Sequence, residues 1–250
     1  MSELAAPTLR VATYNVHGCV GMDGQRSETR IAEVIAESRA DLAGLQELDL
    51  SRRRSGGVDQ SAMIAGKLGW HRYFHPAMRS GDEHYGDAIV SRYPLTLHRA
   101  AELPGLAPSY CREKRGAIAM DAETPLGSVR IVNTHFGLGW SERLPQAKYL
   151  VSADWLDADR PDLPFIFLGD LNCLPGSRPY RALSRHLRDV RRLVHPFRLF
   201  RTFPTFLPLL AVDHIFINGR LRPLSMNIHR SPLARLASDH FPLIAELVRA

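Results

Sequence analysis

The sequence predicts an α+β protein in which two β-sheets pack face to face and helices cover their outer surfaces. Apolar segments of strand length outnumber the segments with helical spacing. Several of these strand segments follow one another with only a turn between them. A purely parallel sheet needs a crossover between each pair of strands, so that alternative is not expected.

The first half of the chain opens with "LRVATYNVHG", an alternating segment that predicts a strand ending at Gly18. Residues 28–39 repeat apolar side chains at a helical spacing, and residues 41–48 form a short buried strand. A second helix is predicted over residues 61–69, because a glycine stands where its C-terminal cap would lie.

The second half of the chain continues the pattern of strands joined by turns. Strands are predicted over 87–95, 115–123, 128–136, 165–170, 212–217 and 240–248, and helices over 145–157 and 179–193. With 250 residues and 45% hydrophobic content, the chain can bury a substantial core. We expect residues 1–250 to form one domain.

The net charge of +6 and the sequence pI of about 9.5 suit an anionic partner such as nucleic acid or lipid headgroups. Almost all of the positive charge is arginine, and a biased genome composition explains that excess equally well. The charge alone therefore leaves the partner open.

Three cysteines, Cys19, Cys111 and Cys173, form no CxxC pair, which argues against a disulfide framework and a structural zinc site. No apolar segment reaches the roughly 18 residues that a membrane-spanning helix needs. The N-terminal "MSELAAPTLR" has no features of a secretion signal. A cytoplasmic protein is predicted.

Six segments place a carboxylate, amide or imidazole where an apolar strand is interrupted or ends. The residues are Asn15, Glu47, Asn133 with His135, Asp170 with Asn172, Asp213, and Asp239 with His240. Each one alone is explained by a turn or by solvent exposure. Together they predict a single polar site at the strand ends.

The types of these residues indicate phosphate-ester chemistry. Asp213 interrupts the apolar segment "VDHIFI", and a buried carboxylate needs a donor such as an imidazole N–H. An imidazole held in this way keeps its other nitrogen free for proton transfer. Glu47 and Asp170 supply the hard oxygen ligands that Mg²⁺ prefers. The set suits metal-assisted attack of water on a phosphorus ester.

Side chains alternate along a strand, so Asp170 and Asn172 in "FIFLGDLNCLPGSRP" are predicted to share a face. Cys173 would point away from both.

The set of polar residues, in this order and spacing, resembles the endonuclease/exonuclease/phosphatase superfamily. Its members include DNase I, exonuclease III-like repair nucleases, inositol polyphosphate 5-phosphatases and bacterial sphingomyelinases. The resemblance extends from about residue 9 to residue 248. It implies the DNase I-like four-layer α/β sandwich, with two mainly antiparallel sheets between layers of helices.

The resemblance also implies roles for the metal-binding residues. Glu47 would be the principal ligand of Mg²⁺, with Mn²⁺ as the alternative, and Asn15 and Asp239 would assist. His17 would either face the metal or pack as a hydrogen-bonded histidine. The opening "YNVHG" resembles the generic bacterial metal-dependent hydrolases of the family, whose substrates are often unassigned. The sequence leaves the oligomeric state open, with a monomer favoured.

For the catalytic residues, the resemblance pairs Asp213 with His240, which would act as the general base or as a phosphate-stabilising cation. Asp170 is the rival base, and Asn172 would bind the water or a phosphate oxygen. His135 would donate to a phosphate oxygen.

Three further residues or groups are candidates outside this set. Asp87 would orient His135, and Gln60 would contact substrate or, as we favour, cap the helix that follows it. The candidate substrate-binding arginines are Arg52, Arg53, Arg54, Arg178 and Arg181. The last two begin a predicted arginine-faced helix, which is either a solvated surface or a track for phosphates.

The substrate is predicted from the loops and the charge. Residues 195–211 are apolar and rich in proline, and they either cover the core or form a lip that touches lipid. Nucleic acid is the first-choice substrate of the predicted phosphodiesterase. A phospholipid, sphingolipid or inositol phosphate is the alternative, and a non-catalytic anion-binding module is the remote one.

Overall fold

Two six-stranded sheets form the centre of the computed structural model, which describes residues 6–105, 113–156, 160 and 162–250. The strands are β1 Leu9–Asn15, β2 Leu42–Leu50, β3 His71–Ser80, β4 Glu83–Ser91, β5 Leu95–Glu102, β6 Gly116–Thr124, β7 Gly127–His135, β8 Phe165–Asp170, β9 Arg188–Asp189, β10 Asp213–Ile217, β11 Leu221–Ile228 and β12 Leu243–Arg249. The helices are α1 Glu28–Ser38, α2 Gln60–Leu68, α3 Trp140–Leu150, α4 Ala153–Leu156, α5 Arg178–Ser184, α6 Val190–Val194 and α7 Pro232–Ala237.

The first sheet has the strand order β11-β12-β1-β2-β4-β3, and the second has the order β5-β6-β7-β8-β10-β9. The pairs β1–β2 and β7–β8 are parallel, and the other pairs are antiparallel. The predicted fold class, two mainly antiparallel sheets with helices outside, is confirmed.

Alternation along the strands builds the layers. In β1, Val11 faces the other sheet and Ala12 faces the helices. In β8, Leu168 faces the other sheet and Phe167 faces the helices. Helices α1, α2 and α7 cover the first sheet, and α3, α4 and α5 cover the second. Three buried apolar clusters therefore separate four layers, as the resemblance implied.

The two sheets meet closely at Gly44, where an added Cβ would lie 2.1 Å from Leu168 Cδ1 and 2.7 Å from Asn133 Oδ1. Asn133 donates from Nδ2 to the carbonyl oxygens of Leu45 and Ala88, across the interface between the sheets. Its Oδ1 accepts from Gln46 Nε2 at 2.6 Å. The side chain of Asn133 thus joins the two sheets.

Two predicted helices differ from the observed ones. The segment predicted over 145–157 begins earlier, at Trp140, and α3 ends at Leu150; residue 157 lies outside the described residues. The segment predicted over 179–193 is divided into α5, the short strand β9 and α6. Asp189 divides it, because its carboxylate caps α6 by accepting from the amide of Arg191 at 2.8 Å.

Candidate active site

The predicted strand-end residues converge at one edge of the sandwich. Asn15 ends β1, His135 ends β7 and Asp170 ends β8. Asp213 begins β10, which runs antiparallel to β8, and lies opposite Asp170 in the sheet register. His240 lies in the loop that leads into β12. All of them except Asp213 line one pocket of about 490 Å³.

A β-bulge aims Glu47 into this pocket. The register between β2 and β4 shifts between Leu45 and Leu48, and Glu47 has a φ of 64°. A left-handed backbone is strained for a residue other than glycine and is typical of functional positions. Asn15 Nδ2 donates to Glu47 Oε1 at 2.9 Å and to Asp170 Oδ2 at 3.0 Å. One amide therefore bridges two carboxylates.

His17 lies between the carboxylates of Glu47 and Asp239. Its Nδ1 is 3.7 Å from Glu47 Oε2 and 3.7 Å from Asp239 Oδ2. The contact with Glu47 raises the pKa of His17. Although burial opposes ionisation of Glu47, the hydrogen bonds from His17 and Asn15 hold the pKa of its carboxyl well below the usual range.

Asp213 and His240 form the predicted carboxylate–imidazole pair. His240 Nδ1 donates to Asp213 Oδ2 at 2.9 Å, and Thr202 Oγ1 donates to the same oxygen at 2.6 Å. The ring of Phe203 lies 4.6 Å from that of His240, centroid to centroid. Burial lowers the pKa of His240, but the charges of Asp213 and Asp170 outweigh it and raise the pKa to about 10.

Asp170 lies at the centre of the site. Its Oδ2 is 3.5 Å from His135 Nε2 and 3.7 Å from His240 Nε2. Burial, followed by the neighbouring charge of Asp213, raises the pKa of Asp170 to about 6. A carboxyl group with this pKa is suited to proton transfer near neutral pH.

Asn172 faces the site for a different reason from the one predicted. Strand β8 ends at Asp170, so strand alternation does not extend to residue 172. Asn172 has a φ of 47°, and its amide N–H donates to Asp170 Oδ1 at 2.9 Å, which forms a tight turn. Its side-chain nitrogen then reaches within 3.0 Å of His135 Nε2. Cys173 is buried in the cluster beneath the helices, away from the pocket, as predicted.

Arg115 occupies the position beside His135 that Asp87 was predicted to hold. Arg115 Nη1 donates to His135 Nδ1 at 3.1 Å. A guanidinium has no acceptor, so the proton of the neutral ring lies on Nε2, which faces the pocket. Burial and the charge of Arg115 hold the pKa of His135 well below its usual value.

Asp87 instead accepts a hydrogen bond from the backbone N–H of Glu47 and so supports the bulge. Burial raises the pKa of Asp87 to about 8. The bulge in β2 leaves the N–H of Glu47 facing this carboxylate, and Arg115 takes the place beside His135.

The sequence profile of the endonuclease/exonuclease/phosphatase family matches residues 12–240. The chain belongs to this family. Membership supports hydrolysis of phosphoester bonds, and the donor set of the pocket agrees with the family's general dependence on divalent metals.

The chain also has a relative among curated bacterial proteins. The Escherichia coli K12 protein named "Uncharacterized protein YbhP" is 28% identical over 177 residues, which are 66% of this chain and 63% of that protein. The chain thus matches less than two thirds of that relative's length.

Among solved structures, a family member from Beutenbergia cavernae has a TM-score of 0.78 at 23% identity, covering 98% of this chain and 72% of that one. A mannosyl-6-phosphatase from Bacteroides thetaiotaomicron has a TM-score of 0.74 at 21% identity, covering 96% of this chain and 99% of that one. These similarities describe the fold.

The pocket of this family member also contains residues that the sequence patterns missed. They are Tyr85, Glu113, Arg115, Leu138, Arg143, Phe203, Leu210 and Val212. An arginine at the start of a strand is usually exposed, so nothing in the sequence marks Arg115, whose side chain is 4% exposed. Arg143 donates to the carbonyl of Asn172 and fixes the turn after β8.

The arginines proposed to bind substrate lie outside this pocket. Arg54 and Arg52 pair with the buried Asp49, at 2.7 and 3.4 Å, and Arg53 lies 3.7 Å from Glu83. These carboxylates neutralise much of the charge that a phosphate would meet.

Arg178 and Arg181 line a separate groove of about 340 Å³ with Arg185 and Lys148. Gln60 is fully buried. Its Oε1 accepts from the amide of Asp49, and its Nε2 donates to the carbonyl oxygen of Gly18 and to Glu28 Oε1. The cap of α2 that was predicted for Gln60 is made by Asp59.

No helix in the described part of the chain, residues 6–105, 113–156, 160 and 162–250, is both long and apolar enough to cross a lipid bilayer.

Proposed function

We propose that this protein is a divalent-metal-dependent phosphodiesterase in which water attacks the phosphorus. One observation carries the proposal: a single oxygen, Asp170 Oδ2, lies within 3.7 Å of the amide of Asn15 and of the imidazoles of His135 and His240. An oriented base, two imidazoles and an adjacent acidic metal site are the parts that attack on a phosphate ester requires.

The residues fit a hard cation. Glu47, Asp239 and Asn15 offer oxygen ligands, and the two carboxylates converge on the same nitrogen of His17. No cysteine appears among the described residues that line the pocket, so the donors favour Mg²⁺, with Mn²⁺ as the alternative. A cation bound here would polarise the phosphate and offset its charge.

A second geometric grouping, Asp170, Asp213 and His240, is less suited to a metal. Asp213 Oδ2 already accepts two hydrogen bonds, and His240 lies between two buried carboxylates that favour its protonated form. A protonated imidazole does not ligate a metal. We therefore place the cation at Glu47 and Asp239.

The chain's own groups then divide the work. Asp170 orients the attacking water and accepts its proton, while His240, held by Asp213, donates to a phosphate oxygen from Nε2. His135, whose Nδ1 accepts from Arg115, donates from Nε2 to another oxygen. Of the two roles considered for His240, this assignment selects the protonated imidazole that stabilises the phosphate, and it makes Asp170 the general base.

Two surfaces favour different substrates. The groove of Lys148, Arg178, Arg181 and Arg185 supports nucleic acid, because no ion pair is found for these four cations among the described residues. The pocket has an apolar rim on one side, where Leu138 is 68% exposed and Leu210 is 39% exposed. This rim borders the reacting site itself, so we favour a lipid phosphodiester over nucleic acid.

A substrate panel separates the candidates. Purified protein is incubated with plasmid DNA, a single-stranded oligonucleotide and phospholipid vesicles, each with Mg²⁺ and with chelator, and with a Glu47→Gln variant as the inactive control. We expect headgroup release from vesicles that needs Mg²⁺ and Glu47. Cleavage of DNA with no lipid hydrolysis would reverse the preference, and no hydrolysis of any ester would support a non-catalytic module. The cytoplasmic location and the monomeric state stay predictions.

A further inference from the structure

The segment that leads into β10 exposes large apolar side chains close together. In the rim loop, defined here as residues 203–210, Phe206 is 67% exposed, Leu209 57% and Leu207 55%. Phe197, a few residues earlier, is fully exposed. Single exposed apolar residues are ordinary, but several in one short loop indicate an interaction surface.

The rim loop is held in this exposed position by its backbone. Phe203 O accepts from the amides of Leu209 at 3.0 Å and Leu210 at 2.8 Å, and Pro204 O accepts from Leu207 at 3.1 Å. At its base the buried Thr205 donates from its amide to Asp239 O at 2.8 Å. The loop is thus fixed to the segment that carries the active site, and its apolar tip does not fold into the core.

The rim loop borders the mouth of the pocket. Phe203 and Leu210, at its two ends, line the pocket together with Leu138 from the loop after β7. Leu138 and the adjoining Trp140 are 68% and 78% exposed. Two separate segments of the chain therefore present apolar side chains around the same opening. Residues 195–211 both cover the core, through the buried Phe200, and form an exposed lip.

Four arginines lie on the rim loop's supports or in the segment just before it. Arg235 Nη1 donates to Thr205 O at 2.7 Å, and Arg230 Nη2 donates to Arg201 O at 3.1 Å. Arg198 stacks on Phe200 at 4.8 Å. In the described part of the chain, no ion pair is found for the side chains of Arg198, Arg201, Arg230 and Arg235. Their charge is available to an anionic partner.

We propose that the rim loop and Trp140 dock the protein on an anionic lipid bilayer, with the pocket opening onto the headgroups. Phe206, Leu207 and Leu209 would enter the boundary between headgroups and acyl chains, and the arginines would contact anionic headgroups. The inference rests on the proposed phosphodiesterase and names a lipid as its substrate.

Vesicle flotation tests the docking. The wild type is compared with the triple variant Phe206→Ser, Leu207→Ser and Leu209→Ser on vesicles of phosphatidylcholine, with and without phosphatidylglycerol. A matched control variant, Met63→Ser, Leu97→Ser and Leu224→Ser, removes similarly exposed apolar side chains at 44–46% exposure from α2, β5 and β11. We expect the rim-loop variant to bind phosphatidylglycerol vesicles at least about tenfold more weakly, and the control variant to bind like the wild type.

Hydrolysis of soluble bis-p-nitrophenyl phosphate separates docking from catalysis. The rim-loop variant should keep wild-type turnover of this ester, which also shows that it is folded. A wild type that hydrolyses the ester but does not float with vesicles would overturn the docking. A wild type that floats but hydrolyses nothing would leave docking in place and overturn the phosphodiesterase.

A second readout needs no substitution in the rim loop, in case the rim-loop variant fails to fold. Trp140 fluorescence should shift to shorter wavelength on phosphatidylglycerol vesicles, and the shift should be absent in Trp140→Phe. An unchanged spectrum, or vesicle binding equal for the rim-loop and control variants, would contradict the proposal. Added salt should weaken binding, because exposed arginines are screened.

Discussion

Single hydrogen bonds define the roles of the site residues. Because Arg115 Nη1 contacts His135 Nδ1 at 3.1 Å, the proton that His135 donates lies on the side that faces the pocket. Arg115 is thus a positioning residue for His135. Its neighbours in the sequence give no sign of this role, since only the fold shows that the side chain is buried.

We predict that Arg115→Gln lowers kcat on bis-p-nitrophenyl phosphate by about 10- to 100-fold, with a small change in KM, because a hydrogen bond from a charged donor is worth about 1.5–3 kcal/mol. Asp87→Asn is the matched control. The neutral amide resembles the protonated form favoured by the raised pKa of Asp87, so kcat should stay near the wild-type value. A larger loss in Asp87→Asn than in Arg115→Gln would restore Asp87 as the partner of His135.

The metal assignment predicts a separate effect at Glu47. A ligand that binds only the folded state stabilises it by about 2.7 kcal/mol at a hundredfold excess over its Kd. Mg²⁺ should therefore raise the melting temperature of the wild type and not that of Glu47→Gln, as measured by differential scanning calorimetry. Asp213→Asn serves as the control: it removes a carboxylate from the alternative grouping and should keep the Mg²⁺ shift. Loss of the Mg²⁺ shift only in Asp213→Asn would contradict this assignment and indicate that the metal binds at Asp170, Asp213 and His240.

At the scale of the elements, the strands of the sandwich interior were predictable because apolar side chains alternate along them. Strands β1, β2, β7 and β8 all overlap their predicted ranges. The edge strands β3 and β5 were not predicted, because most of their residues are half-buried or exposed and show no alternation. Helices α5 and α6 were predicted as one helix, because arginines and leucines continue through both at a helical spacing. The pattern does not show that the carboxylate of Asp189 caps a new helix in the middle of it.

The contact between the sheets gives a prediction for stability. Gly44→Ala would place a Cβ 2.1 Å from Leu168 Cδ1, so we expect a loss of about 1–3 kcal/mol in the free energy of unfolding. Gly66→Ala in α2 is the control, because nothing beyond its chain neighbours and the backbone of its own helix lies within 4 Å of the added Cβ. That change should stabilise the helix by roughly 0.5–1 kcal/mol. Denaturant unfolding measures both, and equal midpoints would contradict the close approach of the sheets.

At the scale of the whole molecule, two features of the sandwich assemble the site. The carboxyl ends of the parallel pairs β1–β2 and β7–β8 bring Asn15, Glu47, His135 and Asp170 to one edge. The antiparallel strand β10 then places Asp213 opposite Asp170. The sequence identified these residues through their polarity, whereas the bulge at Glu47 and the turn at Asn172 became visible only in the fold.

The surface around the pocket could not be predicted in the same way. Apolar residues in a loop suggest a covered core as readily as an exposed lip, and only the backbone hydrogen bonds of the rim loop show that its tip stays exposed. Likewise, the three consecutive arginines indicate a phosphate site until Asp49 and Glu83 are found beside them. Partners distant in sequence decide the role of both segments.

The central claim is that this pocket hydrolyses phosphodiesters with His240 and a bound cation. The most direct test is kcat/KM on bis-p-nitrophenyl phosphate with Mg²⁺ and with chelator, for the wild type, His240→Gln and the surface control His186→Gln. We predict that chelator abolishes turnover, that His240→Gln lowers it by about 10²- to 10⁴-fold, and that His186→Gln matches the wild type. Turnover by His240→Gln equal to that of the wild type, or turnover unaffected by chelator, would contradict the account.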